Sequence, residues 1–139
     1  MNLHKKAYKN FEAGFTLIEL ISTLVIISVL AAVLLPRYLD AETSSKMRAL
    51  DMGVSEMNGR ETLTWALVKL STTGYQDDNQ VWGRLLVDPG ISLGPDYDWL
   101  IDSPSASNKK GTLRFKNDVS VPLNRNPSVI EAPGRWKEQ

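Results

Sequence analysis

Residues 15–35 read FTLIELISTLVIISVLAAVLL, a stretch in which 16 of 21 residues are apolar and one, Glu19, is charged. As a helix it would be ~32 Å long, close to the ~30 Å hydrocarbon core of a bilayer. The preceding residues carry Lys5, Lys6 and Lys9 against Glu12. Lysines ahead of an apolar span hold that end in the cytoplasm, which places the following chain outside. A cleaved secretory signal has a shorter apolar core and then a small-x-small site. Here the run is longer and ends in Leu34, Leu35 and Pro36.

Glu19 does not suit a plain anchor. A carboxylate deep in a bilayer costs about 2.5–3.5 kcal/mol on insertion scales, less near an interface. A cationic partner would relieve that cost. A cut just before Phe15 would create a new α-amine at the cytoplasmic end of the helix. Within one copy that amine and Glu19 share the first turns and pair poorly. A second copy, shifted along a common axis, would bring its amine alongside. The carboxylate then selects a stacking register, because wrong registers leave it unpaired.

The segment Gly14-Phe15-Thr16-Leu17-Ile18-Glu19-Leu20, with its basic leader and apolar helix, resembles the prepilin signature of type IV pilins and type II secretion pseudopilins. The match continues to Pro36-Arg37-Tyr38, where a helix break is common in that family. The resemblance implies cleavage between Gly14 and Phe15 by prepilin peptidase, with glycine required by the protease subsite. It implies N-methylation of the Phe15 amine and an assembly role for Glu19. It further implies an inner-membrane assembly platform with a separate cytoplasmic ATPase, since this chain has no nucleotide motif. Removing residues 1–14 takes three lysines and one glutamate from a neutral chain and leaves a net charge of −2.

The rest of the chain narrows the chemistry. There is no cysteine, which removes disulfides, thiol nucleophiles and cysteine metal sites. The one histidine is His4, so no histidine triad or metal centre is available in the body of the chain. Zero net charge gives no electrostatic argument for nucleic-acid binding. No catalytic residue and no metal ligand is assigned. The expectation is a structural protein and not an enzyme.

Residues 37–70 read as an amphipathic continuation of the helix. Met47, Leu50, Val54 and Met57 follow a three–four spacing, and Leu63, Leu67 and Leu70 resume it after a phase shift near Gly59. Lys46, Arg48, Glu56, Arg60 and Glu61 then form a solvated face. Gly53 and Gly59 weaken the helix and allow bending or close approach. Pro36 predicts a kink or a locally unwound stretch.

Residues 71–139 read as a small β-rich head. Residues 81–87 suit a short helix or a strand, and residues 97–101 suit a strand. Residues 112–116 and 119–121 form a hairpin around a two-residue turn, Asn117-Asp118. Pro122 suits the end of an edge strand. Residues 124–139 read as an extended tail, held by Val129, Ile130 and Trp136 or left loose. Trp65, Trp82, Trp99 and Trp136 suit buried anchors better than a stacking platform. Asp77, Asp78, Asp88, Asp96, Asp98 and Asp102 are either solvated loop residues or an oxygen-ligand calcium site, without EF-hand spacing. Lys109, Lys110, Arg114 and Lys116 suit a solvated strand face.

The sequence therefore predicts an α+β, type IV pilin-like fold. A leader (1–14) precedes a membrane and assembly helix (15–36), an amphipathic continuation (37–70) and a head (71–139). The expected role is a subunit of a type IV pilus or pilus-like filament that oligomerises with other pilins. It would be held in the inner membrane before assembly and then reside in a filament in the periplasm or at the cell surface. The alternatives are a type II secretion pseudopilin and a non-polymerising, single-pass anchored periplasmic module.

Overall fold

A computed structural model describes residues 14–100 and 103–139. The leader residues His4, Lys5, Lys6, Lys9 and Glu12, and also Ile101 and Asp102, lie outside the described residues. The chain divides into two units, Met1–Asp40 and Ala41–Gln139. One helix, α1 (Leu17–Lys69), runs through both. It continues through Pro36, so the expected unwound stretch is absent. Proline removes one backbone donor, and the turns on either side keep their own bonds.

In the first unit every described side chain is exposed, among them Leu24, Ile27, Leu30 and Leu34. By length and composition this stretch is apolar enough to cross a membrane.

In the second unit, α1 packs on a four-stranded antiparallel sheet, accompanied by α2 (Asp78–Val87). The strands, β1 (Tyr97–Trp99), β2 (Lys110–Phe115), β3 (Val119–Asn126) and β4 (Arg135–Glu138), follow one another across the sheet in chain order. Buried positions on α1 are Leu50, Gly53, Met57, Glu61, Thr64 and Val68. Their spacing of three and four residues is unbroken, so the phase shift expected near Gly59 does not occur. Leu63, Leu67 and Leu70 are exposed, and Glu61 is fully buried. Leu50 and Met57 meet Trp82 and Leu85 of α2 and Leu113, Val121, Leu123 and Trp136 of the sheet. Alternation along β3 puts Val121, Leu123 and Arg125 on the inner face.

Three local expectations change. The β2–β3 loop has three residues, because Phe115 pairs with Val119, and Lys116 and Asn117 both take positive φ. Pro122 lies within β3, an interior strand. Its carbonyl accepts from the Gln139 N–H, so its missing N–H also faces the β4 side, just past the end of β4, where no ladder partner is needed. Residues 124–139 are not a loose extension, since β4 completes the sheet and Trp136 is buried. Val129 and Ile130, expected to hold this region by packing, are about half exposed.

Candidate functional site

Residues 14–16 precede the first turn of α1 and are not helical. Gly14 is exposed, and a Cβ added there would meet nothing within 4 Å. Among the described residues nothing requires glycine at this position. Phe15 is 87% exposed. Among the described residues, the Gly14–Phe15 peptide is thus exposed and non-helical.

The start of α1 is built from two residues that cap each other. The Thr16 backbone N–H donates to Glu19 Oε2 at 2.8 Å, and the Thr16 hydroxyl donates to the same oxygen at 2.9 Å. In return the Glu19 N–H donates to Thr16 Oγ1 at 3.3 Å. This is a capping box, which satisfies backbone donors that a helix start leaves open. Glu19 thus has a partner within its own chain, which the sequence argument for a second copy did not allow for. Thr16-x-x-Glu19 ahead of an apolar run is the pattern that would have revealed it. Both bonds fall on Oε2, and Oε1 has no partner among the described residues.

The acidic positions considered for calcium are dispersed. Asp77 caps α2, accepting from the Asn79 and Gln80 N–H groups at 2.9 and 3.1 Å. Asp88 is its C-cap. Asp98 takes Arg114 in a two-pronged pair at 3.0 and 2.5 Å, and Asp96 faces Lys116 at 4.0 Å. The Arg114 bonds hold the Asp98 carboxyl below its ordinary value. Lys109 reaches Asp78 at 2.5 Å. Three of the four basic residues are thus paired with carboxylates. Among the described residues no group of three metal-ligating side chains converges.

Sequence reasoning missed the buried charges. Glu61 and Arg125 form a fully buried pair, and Arg125 also donates to both oxygens of Asp78 at 2.8 Å. Burial would raise the Asp78 carboxyl, but hydrogen bonds from Arg125, Lys109 and Ser128 outweigh it and hold the group well below the usual range. Arg125 is pushed the other way: burial opposes its charge, and its bonds to Asp78 and Glu61 hold the proton more tightly. Of the four tryptophans, Trp82 and Trp136 are buried, and Trp65 and Trp99 are partly so.

Residues 9–35 match the family described as the prokaryotic N-terminal methylation motif, the type IV prepilin-like signal. No curated protein and no solved structure matches the chain. A long N-terminal helix packed on a small antiparallel sheet is an α+β, type IV pilin-like arrangement.

Proposed function

We propose that this chain, a carrier of the type IV prepilin-like motif, is the precursor of a filament subunit of the type IV pilus class. Prepilin peptidase cuts between Gly14 and Phe15, and the Phe15 amine is methylated. Residues 15–35 hold the subunit in the inner membrane with the leader cytoplasmic and the head periplasmic. An assembly platform and its ATPase then stack copies so that these helices leave lipid for each other. The hydrophobic change in that transfer is small, so register has to come from packing and from the Glu19 charge. The protein acts by assembling and catalyses no reaction.

The motif match carries this reading, because it falls on an exposed, non-helical peptide followed by a capped helix that buries nothing through Asp40. Intact-mass analysis of the protein from its native membrane tests it. A mature start at methylated Phe15 is expected. Met1 retained in assembled material would overturn the reading, and Met1 retained in a protein that never polymerises would make it an anchored module. Gly14→Leu is expected to leave uncut precursor in the membrane.

A further inference from the structure

The last fourteen residues are fastened in an unusual way. β4 is a four-residue edge strand paired on one side only. So short a strand holds little by itself. Val129 and Ile130 are about half exposed, and their carbonyls accept from Trp65 and Lys69 of α1 at an exposed surface. Asn58 exchanges two bonds with the Trp136 backbone at 2.7 and 3.2 Å. Ser128 and Trp136 are nevertheless almost wholly buried.

Charge converges at those two residues. The Arg125 side chain is fully buried on β3 and lies over the Trp82 ring at 4.8 Å. Its fork holds Glu61 of α1 on one side and Asp78 of α2 on the other. Each carboxylate then holds one residue of the C-terminal segment. Asp78 Oδ1 accepts the Ser128 N–H at 2.6 Å and its hydroxyl at 2.7 Å. Glu61 Oε1 accepts the Trp136 indole N–H at 3.2 Å. Gly134 lies directly on the pair, and a Cβ there would fall 2.8 Å from both Arg125 Nη2 and Glu61 Oε2. Lys109 closes the outer side of Asp78, so two carboxylates face two cations.

We infer that this Arg125-centred cluster is the clasp that holds residues 126–139 to the head. A buried ion pair adds little net stability compared with a well-packed apolar substitute, but it punishes every arrangement that leaves one member unpaired. Arg125 pairs both carboxylates, and with the segment in place Ser128 and Trp136 supply the further donors that Asp78 and Glu61 accept, while Gly134 leaves room for the pair. The clasp selects one position for the segment and needs neither oxidant nor calcium. This inference concerns the folded head and stands apart from the filament reading.

Hydrogen exchange read by mass spectrometry on the full chain in detergent micelles tests it, comparing residues 126–139 with the hairpin at residues 112–121. In the natural sequence both segments should stay protected in EDTA, in added calcium and in reductant. Arg125→Lys keeps the charge but loses the fork. Gly134→Ala keeps every charge but sets a Cβ 2.8 Å from both Arg125 Nη2 and Glu61 Oε2, so that these buried side-chain ends must shift from their present geometry. Each should speed exchange in residues 126–139 by about tenfold or more and leave the hairpin unchanged. If Arg125→Lys unfolds the whole head, Gly134→Ala alone decides. Natural protection of residues 126–139 in Gly134→Ala would overturn the clasp, and so would loss of protection in EDTA alone.

Discussion

From Leu17 to Asp40, α1 buries no side chain within the chain, whereas from Ala41 to Lys69 it buries six positions at regular three–four spacing. Both stretches are α-helix. In the first, nearly every side chain is apolar and none is covered by the described residues of the chain. In the second, surfaces supplied by residues 78–136 decide which positions are covered. A change in the first stretch is therefore expected to act on assembly, and a change in the second on the stability of one chain.

The largest expected effect lies at Glu19. Glu19→Gln keeps an acceptor oxygen for Thr16, so the capping box survives, and removes only the charge. Cleavage should proceed, and filaments should be lost or sharply reduced. Natural filament yield from this variant would reduce Glu19 to a cap and end the argument that its charge sets register. Thr16→Val does the opposite, weakening the cap and keeping the charge, and should impair assembly less.

Acid should separate the two stretches next. Asp78 faces Arg125 from β3, Lys109 ahead of β2 and Ser128 from the following loop, and its folded value lies below the ordinary 3.8. A depressed carboxylate lends stability that is full above its unfolded value and is lost as pH falls through the folded one. The near-ultraviolet signal of the buried tryptophans should hold from neutrality to about pH 4 and decay below about pH 3. Helix signal from the apolar stretch in micelles should persist. Loss of the tryptophan signal near pH 6 would assign control of the head to some other group.

These two regions were not equally legible in the sequence. The apolar helix and the β2–β3 hairpin follow from local composition and alternation, because each depends on residues next to it in the chain. Glu61 was read as solvated since charged residues are seldom buried without a partner. Its partner, Arg125, is 64 residues away. No local pattern joins a glutamate on a helix to an arginine on a strand. Leu63, Leu67 and Leu70 were read as core for the matching reason: leucine at helical spacing marks a stripe, but the covering surface fixes which stripe is used. At Glu19 the signal is local: Thr16 three residues ahead of it makes the capping box, whatever else the charge does.

The two glycines of α1 sharpen the comparison within the second stretch. A Cβ at Gly53 would fall 2.8 Å from Tyr97 Cε1 and 3.2 Å from Leu113 Cδ2. The Tyr97 ring cannot easily give way, since its hydroxyl donates to the Ala49 carbonyl at 2.8 Å and Phe115 lies 5.0 Å from it. Overpacking of this kind costs about 1–3 kcal/mol, and helix propensity returns about 1 kcal/mol of it. Gly53→Ala should therefore lower the melting temperature of the head or, at the mild end, leave it unchanged.

Gly59→Ala carries the smallest expected effect and has the opposite sign. Gly59 is exposed, and an added Cβ would meet nothing within 4 Å. Its backbone is not in the left-handed region, so alanine fits without strain. Inside a helix, alanine is favoured over glycine by about 1 kcal/mol. For a head of this size the melting temperature should rise by about 4–8 °C. Because nothing among the described residues accounts for glycine here, the informative measurement is paired: melting of the solubilised chain beside filament yield. A stabilised chain with unchanged yield makes Gly59 a neutral surface position. A stabilised chain that assembles poorly means that another copy comes close to α1 at Gly59, and the contrast between assembly and single-chain stability would then extend into the second half of the helix.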